Sequence, residues 1–369
     1  MGLEEEIEEL ENEIANTPYN KSTEEHIGRL KSKLAEKKEE LERRQSSSGG
    51  GGGYAVEQTG DATVSLVGFP SVGKSTLLNR ITGADSETGS YDFTTLDVNP
   101  GMMKYNGANI QILDVPGLIQ GAARGKGDGR KVLSVVRSSD LIVFVLSPFE
   151  LEKYNELMDE LYRNKIRVDE TPPKVTVRER GKGGIRINAS DELTLDEDTV
   201  EQVAREQGFV NSTINVSEDV DIDELIDGLM DNRVYIDSMV AVNKVDLIDE
   251  EYEEKVRREI SNMSVEKQDV CFLSADEELN LNEFKQLIWD RLGLIRVYMD
   301  KPGRGVDYEE PVILPRDSTV GDVCKEIGGD FEDSFRFGRV TGRSAKHDTQ
   351  QVGKDHVLMD EDELRIVTS

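Results

Sequence analysis

The nine residues GFPSVGKST, at positions 68 to 76, constrain the fold more than any other stretch. They follow the apolar run Ala62-Thr63-Val64-Ser65-Leu66-Val67 and precede Leu77-Leu78-Asn79, which reads as a strand, a glycine-bearing turn and the start of a helix. Gly68 to Ser75 fits G-x-x-x-x-G-K-S, whose backbone N–H groups surround phosphates at a helix N-terminus. In that pattern Lys74 reaches the β and γ oxygens and the Ser75 hydroxyl ligates Mg²⁺, while Pro70, Ser71, Val72, Gly73 and Thr76 complete the loop. A turn that uses glycine for structural reasons alone is the competing reading, and it gives no reason for the Lys-Ser pair.

Around this turn the chain alternates short apolar runs with helical patterns. The runs lie at 62 to 67, 109 to 113, 141 to 146, 236 to 242 and 269 to 273, an order that predicts an α/β fold with a doubly wound, mainly parallel sheet. Before it, residues 1 to 45 place Leu3, Ile7, Leu10 and Ile14, then Ile27, Leu30, Leu34 and Leu41, at helical spacing on either side of Thr17-Pro18. This predicts a helical hairpin over 1–45, its second helix opened by a Ser22/Glu25 capping box, that either packs on a neighbouring domain or binds a partner. SSSGGGGG makes 46–60 a flexible linker. Residues 61–164 and 236–293 form the two parts of the phosphate-binding domain. Between them, 165–235 is an inserted α+β segment in which PPKVTVRERGKGGIRIN reads as a basic-tipped hairpin, followed by an acidic helix near Asp196 to Gln207. Short strands, Gly turns and one helix capped at Ser318 or Thr319 make 294–369 a small α+β domain.

Four further stretches identify the nucleotide. DVPG at 114 to 117 closes an apolar strand; Asp114 stands where a carboxylate holds Mg²⁺ through water, and the Gly117 N–H meets a γ-phosphate. NKVD at 243 to 246 follows another strand. Asp246 accepts two hydrogen bonds from guanine where adenine offers neither donor, and a buried carboxylate deprived of them discriminates by about 10⁴ or more. Asn243 fixes the loop and reaches the base, and the Lys244 stem covers its face. Ser274-Ala275 closes the strand Val270 to Leu273 and supplies a backbone N–H for the guanine oxygen. In YDFTTLDVNPG, at 91 to 101, Thr95 closes on Mg²⁺ and the γ-phosphate, with a Thr-rich strand entry as the alternative. LIQGAARGKGDGR after DVPG has the glycines of a second switch. The nucleotide is GTP, Lys74, Thr95 and Gly117 are the candidate catalytic groups, and Ser75, Thr95 and Asp114 the candidate Mg²⁺ ligands.

GFPSVGKSTLLN, YDFTTL with Pro100-Gly101, DVPGLIQGA and NKVD together resemble the Obg superfamily of GTPases, and within it the developmentally regulated GTP-binding branch with its archaeal members. The likeness covers nearly the whole chain. It implies a helical amino-terminal segment, a GTPase domain interrupted by a segment like the second domain of a small-subunit ribosomal protein, and a C-terminal β-grasp TGS domain, to which RFGRVTGRSAKHDTQQVGKDHVLMDEDELRIV is similar. It also implies association with the ribosome or RNA and a role in translation. Leu118 departs from the simpler GTPases, which place a water-orienting Gln after D-x-x-G, so slow intrinsic hydrolysis is expected. A backbone group, a partner protein or K⁺ would supply the missing function; Gln120 and Arg124 are candidates from the second switch. Some relatives hold K⁺ with an Asn in the phosphate loop, where this chain has Ser71.

Composition narrows the setting. The two cysteines, Cys271 and Cys324, are too few for a disulfide framework. The longest apolar run, 141 to 146, is far short of a membrane span, and Glu6 breaks a myristoylation signal after Met1-Gly2. These point to a cytoplasmic protein without membrane or DNA partners. A net charge of −30, spread over every segment, points to a halophilic cytoplasm rich in salt, with an acidic mesophilic protein as the alternative. Against it stand two basic islands, Lys174, Arg178, Arg180, Lys182 and Arg186, and Arg336, Arg339, Arg343, Lys346 and His347, which mark either a polyanionic partner such as ribosomal RNA or local salt bridging. The leading expectation is a GTP-hydrolysing switch acting at the ribosome. The alternative is a guanine-nucleotide-sensing scaffold that binds only protein partners; a small-molecule P-loop kinase is disfavoured by NKVD.

Overall fold

The computed structural model describes residues 3–46, 59–83, 98–115, 128–263 and 269–368. They form two compact units, one from the described parts of 1–53 and 165–235, the other from those of 54–164 and 236–369. No helix among the described residues is long and apolar enough to cross a membrane.

The larger unit is built on a sheet whose strands run, from one edge, Val270–Phe272, Val234–Val242, Leu141–Leu146, Ala62–Val67, Ala108–Asp114 and Asn99–Tyr105. The first five are parallel and the last is antiparallel to its neighbour. Leu141-Ile142-Val143-Phe144-Val145-Leu146 is buried at every position, as a continuous apolar run must be when helices cover both sheet faces. Ser65 is tolerated at the centre of its strand because its hydroxyl bonds that of Ser139 at 2.6 Å. Strand order reverses beside Ala62–Val67, whose neighbours Ala108–Asp114 and Leu141–Leu146 are the second and third strands to follow it, and this places a crevice at its carboxyl end. Asn99–Tyr105 was not legible as a strand, because Pro100 and Gly101 open it; Pro is accepted at such an edge, where its missing donor costs no ladder bond.

Within the same unit residues 294–368 form a five-stranded sheet, ordered Gly305–Pro315, Leu294–Lys301, Asp362–Thr368, Phe335–Thr341 and Gln350–Val352. The helix Val320–Glu326 packs its Val320, Val323 and Cys324 on it. Leu294 and Ile313 join the core of the large sheet instead of this one.

In the smaller unit the helices Leu3–Asn16 and Glu24–Ser46 lie antiparallel, tied by Lys37 to Glu6 at 3.0 Å and Lys38 to Glu11 at 2.7 Å. The Ser22/Glu25 capping box does not form. Thr23 takes the cap position, its carbonyl accepting from Ile27 N–H at 2.8 Å, while Ser22 turns to Asn20. The second helix packs on Glu197–Glu206: Ile27 enters the core there, and buried Ser32 donates to the Val203 carbonyl at 3.1 Å.

The stretch 172–188 is not a hairpin. Val175–Glu179 and Ile185–Ala189 are strands, but Ser212–Val216 lies between them, antiparallel to the first and parallel to the second. Ser212–Val216 alternates buried and half-buried residues, and the helix Glu197–Glu206 provides the crossover that a parallel pairing needs. The ends of the insertion are held by a buried cluster in which Arg167 and Arg233 both donate to Asp227, at 2.6 Å each. Removing Asp227 alone would take from both guanidinium groups the carboxylate that they share.

Candidate nucleotide site

The turn after Ala62–Val67 carries Gly68 to Gly73 into the helix Lys74–Thr82, whose Leu77, Leu78 and Ile81 are buried beneath the sheet edge. Helix formation begins with Leu77 N–H donating to the Gly73 carbonyl at 2.9 Å. Gly73 has φ +94°, and a Cβ there would collide with Asn243 Nδ2. Glycine is required on both counts. Ser71 also takes a left-handed conformation, φ 66°, with its side chain exposed.

Lys74 is buried, and its Nζ donates to the carbonyls of Gly68 at 2.9 Å and Phe69 at 3.2 Å. Burial pushes its ammonium below the usual lysine range, opposed by the charge of Asp114. Ser75 Oγ donates to Asp114 Oδ2. The other carboxylate oxygen, Oδ1, is buried and finds no donor among the described residues. A buried anionic oxygen without a donor, next to a hydroxyl at a helix N-terminus, fits a hard divalent cation with oxygen ligands.

Asn243 joins the two halves of the site. Its Nδ2 donates to the Val72 carbonyl at 2.8 Å, and its Oδ1 accepts from Ala275 N–H at 2.9 Å. Lys244, at φ 70°, sends Nζ to the Ser71 carbonyl at 2.6 Å, so its stem crosses from the NKVD loop to the phosphate loop. Asp246 is in the turn Val245–Leu247 and is exposed, not buried; its environment becomes dry only when something covers it. The Ala275 N–H assigned to the guanine oxygen is engaged by Asn243 here, and Ser274 N–H by the Leu279 carbonyl at 3.3 Å.

The structure thus brings the phosphate loop, Asp114, Asn243, Lys244, Ser274 and Ala275 together at the carboxyl ends of adjacent strands. Thr95, Gly117, Leu118, Gln120 and Arg124 lie outside the described residues. Sequence reasoning missed two supports. Asn280, at φ 58°, donates to the Phe272 carbonyl at 2.8 Å and holds the Ser274-Ala275 loop. Lys153 sits 4.7 Å over the Phe69 ring, fixing a motif position that the pattern leaves free. Neither contact leaves a local signal.

The chain matches three family models: residues 63–179 a 50S ribosome-binding GTPase, residues 182–294 the C-terminal region of that domain, and residues 295–368 a TGS domain. It is 62% identical over 367 residues to an uncharacterized GTP-binding protein of Halobacterium salinarum, covering 100% of this chain and 99% of that one. It is 39% identical over 373 residues to developmentally-regulated GTP-binding protein 1 of Xenopus laevis, covering 98% of each. Among solved structures, the YchF GTPase of Schizosaccharomyces pombe is similar with a TM-score of 0.46 at 16% identity, covering 84% of this chain and 99% of that chain. An α/β P-loop GTPase domain with a mostly parallel sheet, followed by a TGS domain, spans 63–368, and similarity to developmentally regulated GTP-binding proteins extends over the full length: the chain belongs to that family of GTP-binding GTPases.

Proposed function

We propose that the chain is a GTP-hydrolysing switch that associates with the ribosome or its RNA and acts in translation. One arrangement supports the switch most: Asn243 bonds the phosphate loop at Val72 and the Ser274-Ala275 loop at Ala275, so one side chain holds together the two segments assigned to phosphate and base. On nucleotide binding Lys74 turns from the Gly68 and Phe69 carbonyls to the β and γ oxygens, and Asp246 accepts from guanine. Ser75 and Asp114 would hold Mg²⁺, joined by Thr95 as the switch closes, and the metal would neutralise charge developing on the phosphates. Gly117 N–H reaches the γ-phosphate. Leu118 orients no water, so intrinsic turnover is slow and stimulation comes from a partner protein, the ribosome or K⁺.

Ribosome association is supported by the family description, a 50S ribosome-binding GTPase, and by cationic positions that persist in a chain of charge −30. Co-sedimentation separates this from a scaffold that binds only proteins. In high-salt buffer, the protein loaded with a non-hydrolysable GTP analogue is expected to pellet with ribosomes, and the GDP form to stay in the supernatant. Equal absence of both forms from the pellet would remove the ribosomal reading.

A further inference from the structure

The three-stranded sheet of the insertion has two unlike faces. One carries Val175, Val177, Ile185, Ile187, Ile214 and Val216 and closes an apolar core with the helices Glu197–Glu206 and Ile222–Met230. The other is polar, and the strand register sets its pattern. Thr213 on the central strand stands opposite Arg178 on one side and Arg186 on the other. Asn215 stands likewise between Thr176 and Asn188. Residues paired across neighbouring strands point to the same face, so two rows cross the sheet, Arg-Thr-Arg and Thr-Asn-Asn.

The second row is already ordered. Asn188 Nδ2 donates to Asn215 Oδ1 at 2.8 Å, and Asn215 Nδ2 to Thr176 Oγ1 at 3.1 Å, which leaves further amide and hydroxyl groups aimed outward. In the first row Arg178 and Arg186 are exposed and form no ion pair among the described residues. They are two strands apart, about 10 Å. Arg180 and Lys182 extend the charge into the turn, which Asn211 pins by accepting from Arg180 N–H at 2.8 Å and Gly184 N–H at 2.9 Å. Lys174 is different: Glu218 neutralises it at 3.0 Å. None of the six positions in the rows is acidic, in a chain with 75 Asp and Glu among 369 residues. Nearby Glu179 pairs in register with buried Ser212, which turns it to the opposite side.

We propose that this face binds the backbone of double-helical RNA. The inference rests on the RNA-associated part of the proposed function and gives it a site. Arg178 and Arg186 contact phosphates, with Arg180 and Lys182 at the rim. The Thr-Asn-Asn row meets ribose 2′-hydroxyls, which both donate and accept as these side chains do. The two rows contain no aromatic ring on which an unpaired base would stack, so a paired helix, read by shape and backbone, suits the face better than a single strand. A chain of net charge −30 attracts no polyanion at long range, and a local acid-free face is what contact binding under strong screening requires.

Fluorescence anisotropy of the full-length protein with a labelled RNA hairpin, over a KCl series, tests the site. Its stem, about 16 base pairs or more, is as long as a double-stranded-RNA-binding domain spans. Wild type is expected to bind, and Arg178→Gln/Arg186→Gln to weaken binding roughly tenfold or more and to lower the slope of log affinity against log salt by about two. Asn188→Ala/Asn215→Ala is expected to reduce the preference for RNA over the matching DNA duplex. Superimposable circular dichroism melting curves confirm that the variants fold. No binding of the hairpin by wild type, an unchanged Arg178→Gln/Arg186→Gln variant, tighter binding of the unpaired strand, or equal competition by polyglutamate would each overturn the proposal. If ribosomes co-sediment equally with wild type and the arginine variant while hairpin binding is unaltered, this site is wrong and the ribosomal reading stands. If wild type binds the hairpin but no ribosome, the reverse holds.

Discussion

Gly73 and Asn243 show how few atoms define the nucleotide site. The left-handed glycine lets Asn243 Nδ2 approach where any Cβ would block it, and the amide then spends both ends on Val72 and Ala275. These residues were legible because each belongs to a short contiguous motif, GFPSVGKST or NKVD. Ser32 and Lys153 were not, because their roles depend on partners far away in sequence, Val203 and Phe69. Asp246 lies between these cases: its identity was legible, but its exposure was not. In the role proposed for it, its selectivity depends on the bound base and the Lys244 stem to exclude water. Asp246→Asn replaces an acceptor by an amide that also donates, so GTP affinity is expected to fall at least about a hundredfold and preference to shift toward the xanthine nucleotide, which offers an oxygen there. Competition of GTP and XTP for the variant measures this. Unchanged GTP affinity would remove Asp246 from base recognition.

At the scale of elements, period and length were read well and pairing was not. The run 141 to 146 became a buried central strand because a continuous apolar stretch has one place in such a sheet. The insertion misled because two alternating strands beside a Gly-rich turn look like a hairpin until a third strand, 212 to 216, takes the middle position. A local pattern carries no information about a partner added later in the chain. Caps behave similarly: the one near Ser22 moved to Thr23, whereas Thr319 forms a full capping box with Asp322. The Thr319 N–H and hydroxyl donate to Asp322 at 3.0 and 2.8 Å. The backbone bond first, then the hydroxyl and Lys325, hold the Asp322 carboxyl down from 3.8 to about 2. A depressed carboxylate pKa stabilises the fold above the unfolded value and loses that contribution as pH falls through the folded one. Thr319→Ala is therefore expected to cost about 1 kcal/mol near neutrality. Its deficit relative to wild type should shrink between pH 3.8 and about 2, where Asp322 protonates in both proteins. Denaturant unfolding across that range checks it, and a deficit independent of pH would assign the loss to the helix cap without the carboxylate.

For the whole molecule, charge sets the range of salt over which the fold and its site are stable. A chain of −30 repels itself, and raising salt to about 1 M shortens the Debye length to about 3 Å, which relieves that repulsion while leaving contacts such as Arg167 with Asp227 intact. Thermal stability is expected to rise from about 0.1 M salt to about 1 M, and equally in KCl and NaCl, because screening depends on ionic strength alone. Turnover should separate the two cations if K⁺ assists hydrolysis, since that role needs a bound ion instead of an ion atmosphere. Ser71 replaces the Asn that holds K⁺ in some relatives, and its carbonyl already accepts from Lys244, so a preference for K⁺ would have to use other oxygen ligands. Leu118→Ala should change the intrinsic rate far less than the roughly 10³ to 10⁵ linked to a charge-stabilising finger, because leucine has no hydrogen bond to lose. Rates measured at matched ionic strength, above the salt concentration where circular dichroism shows complete folding, keep stability and catalysis apart. A fast basal rate in sodium that collapses in a folded Leu118→Ala variant would mean that this position acts in hydrolysis after all.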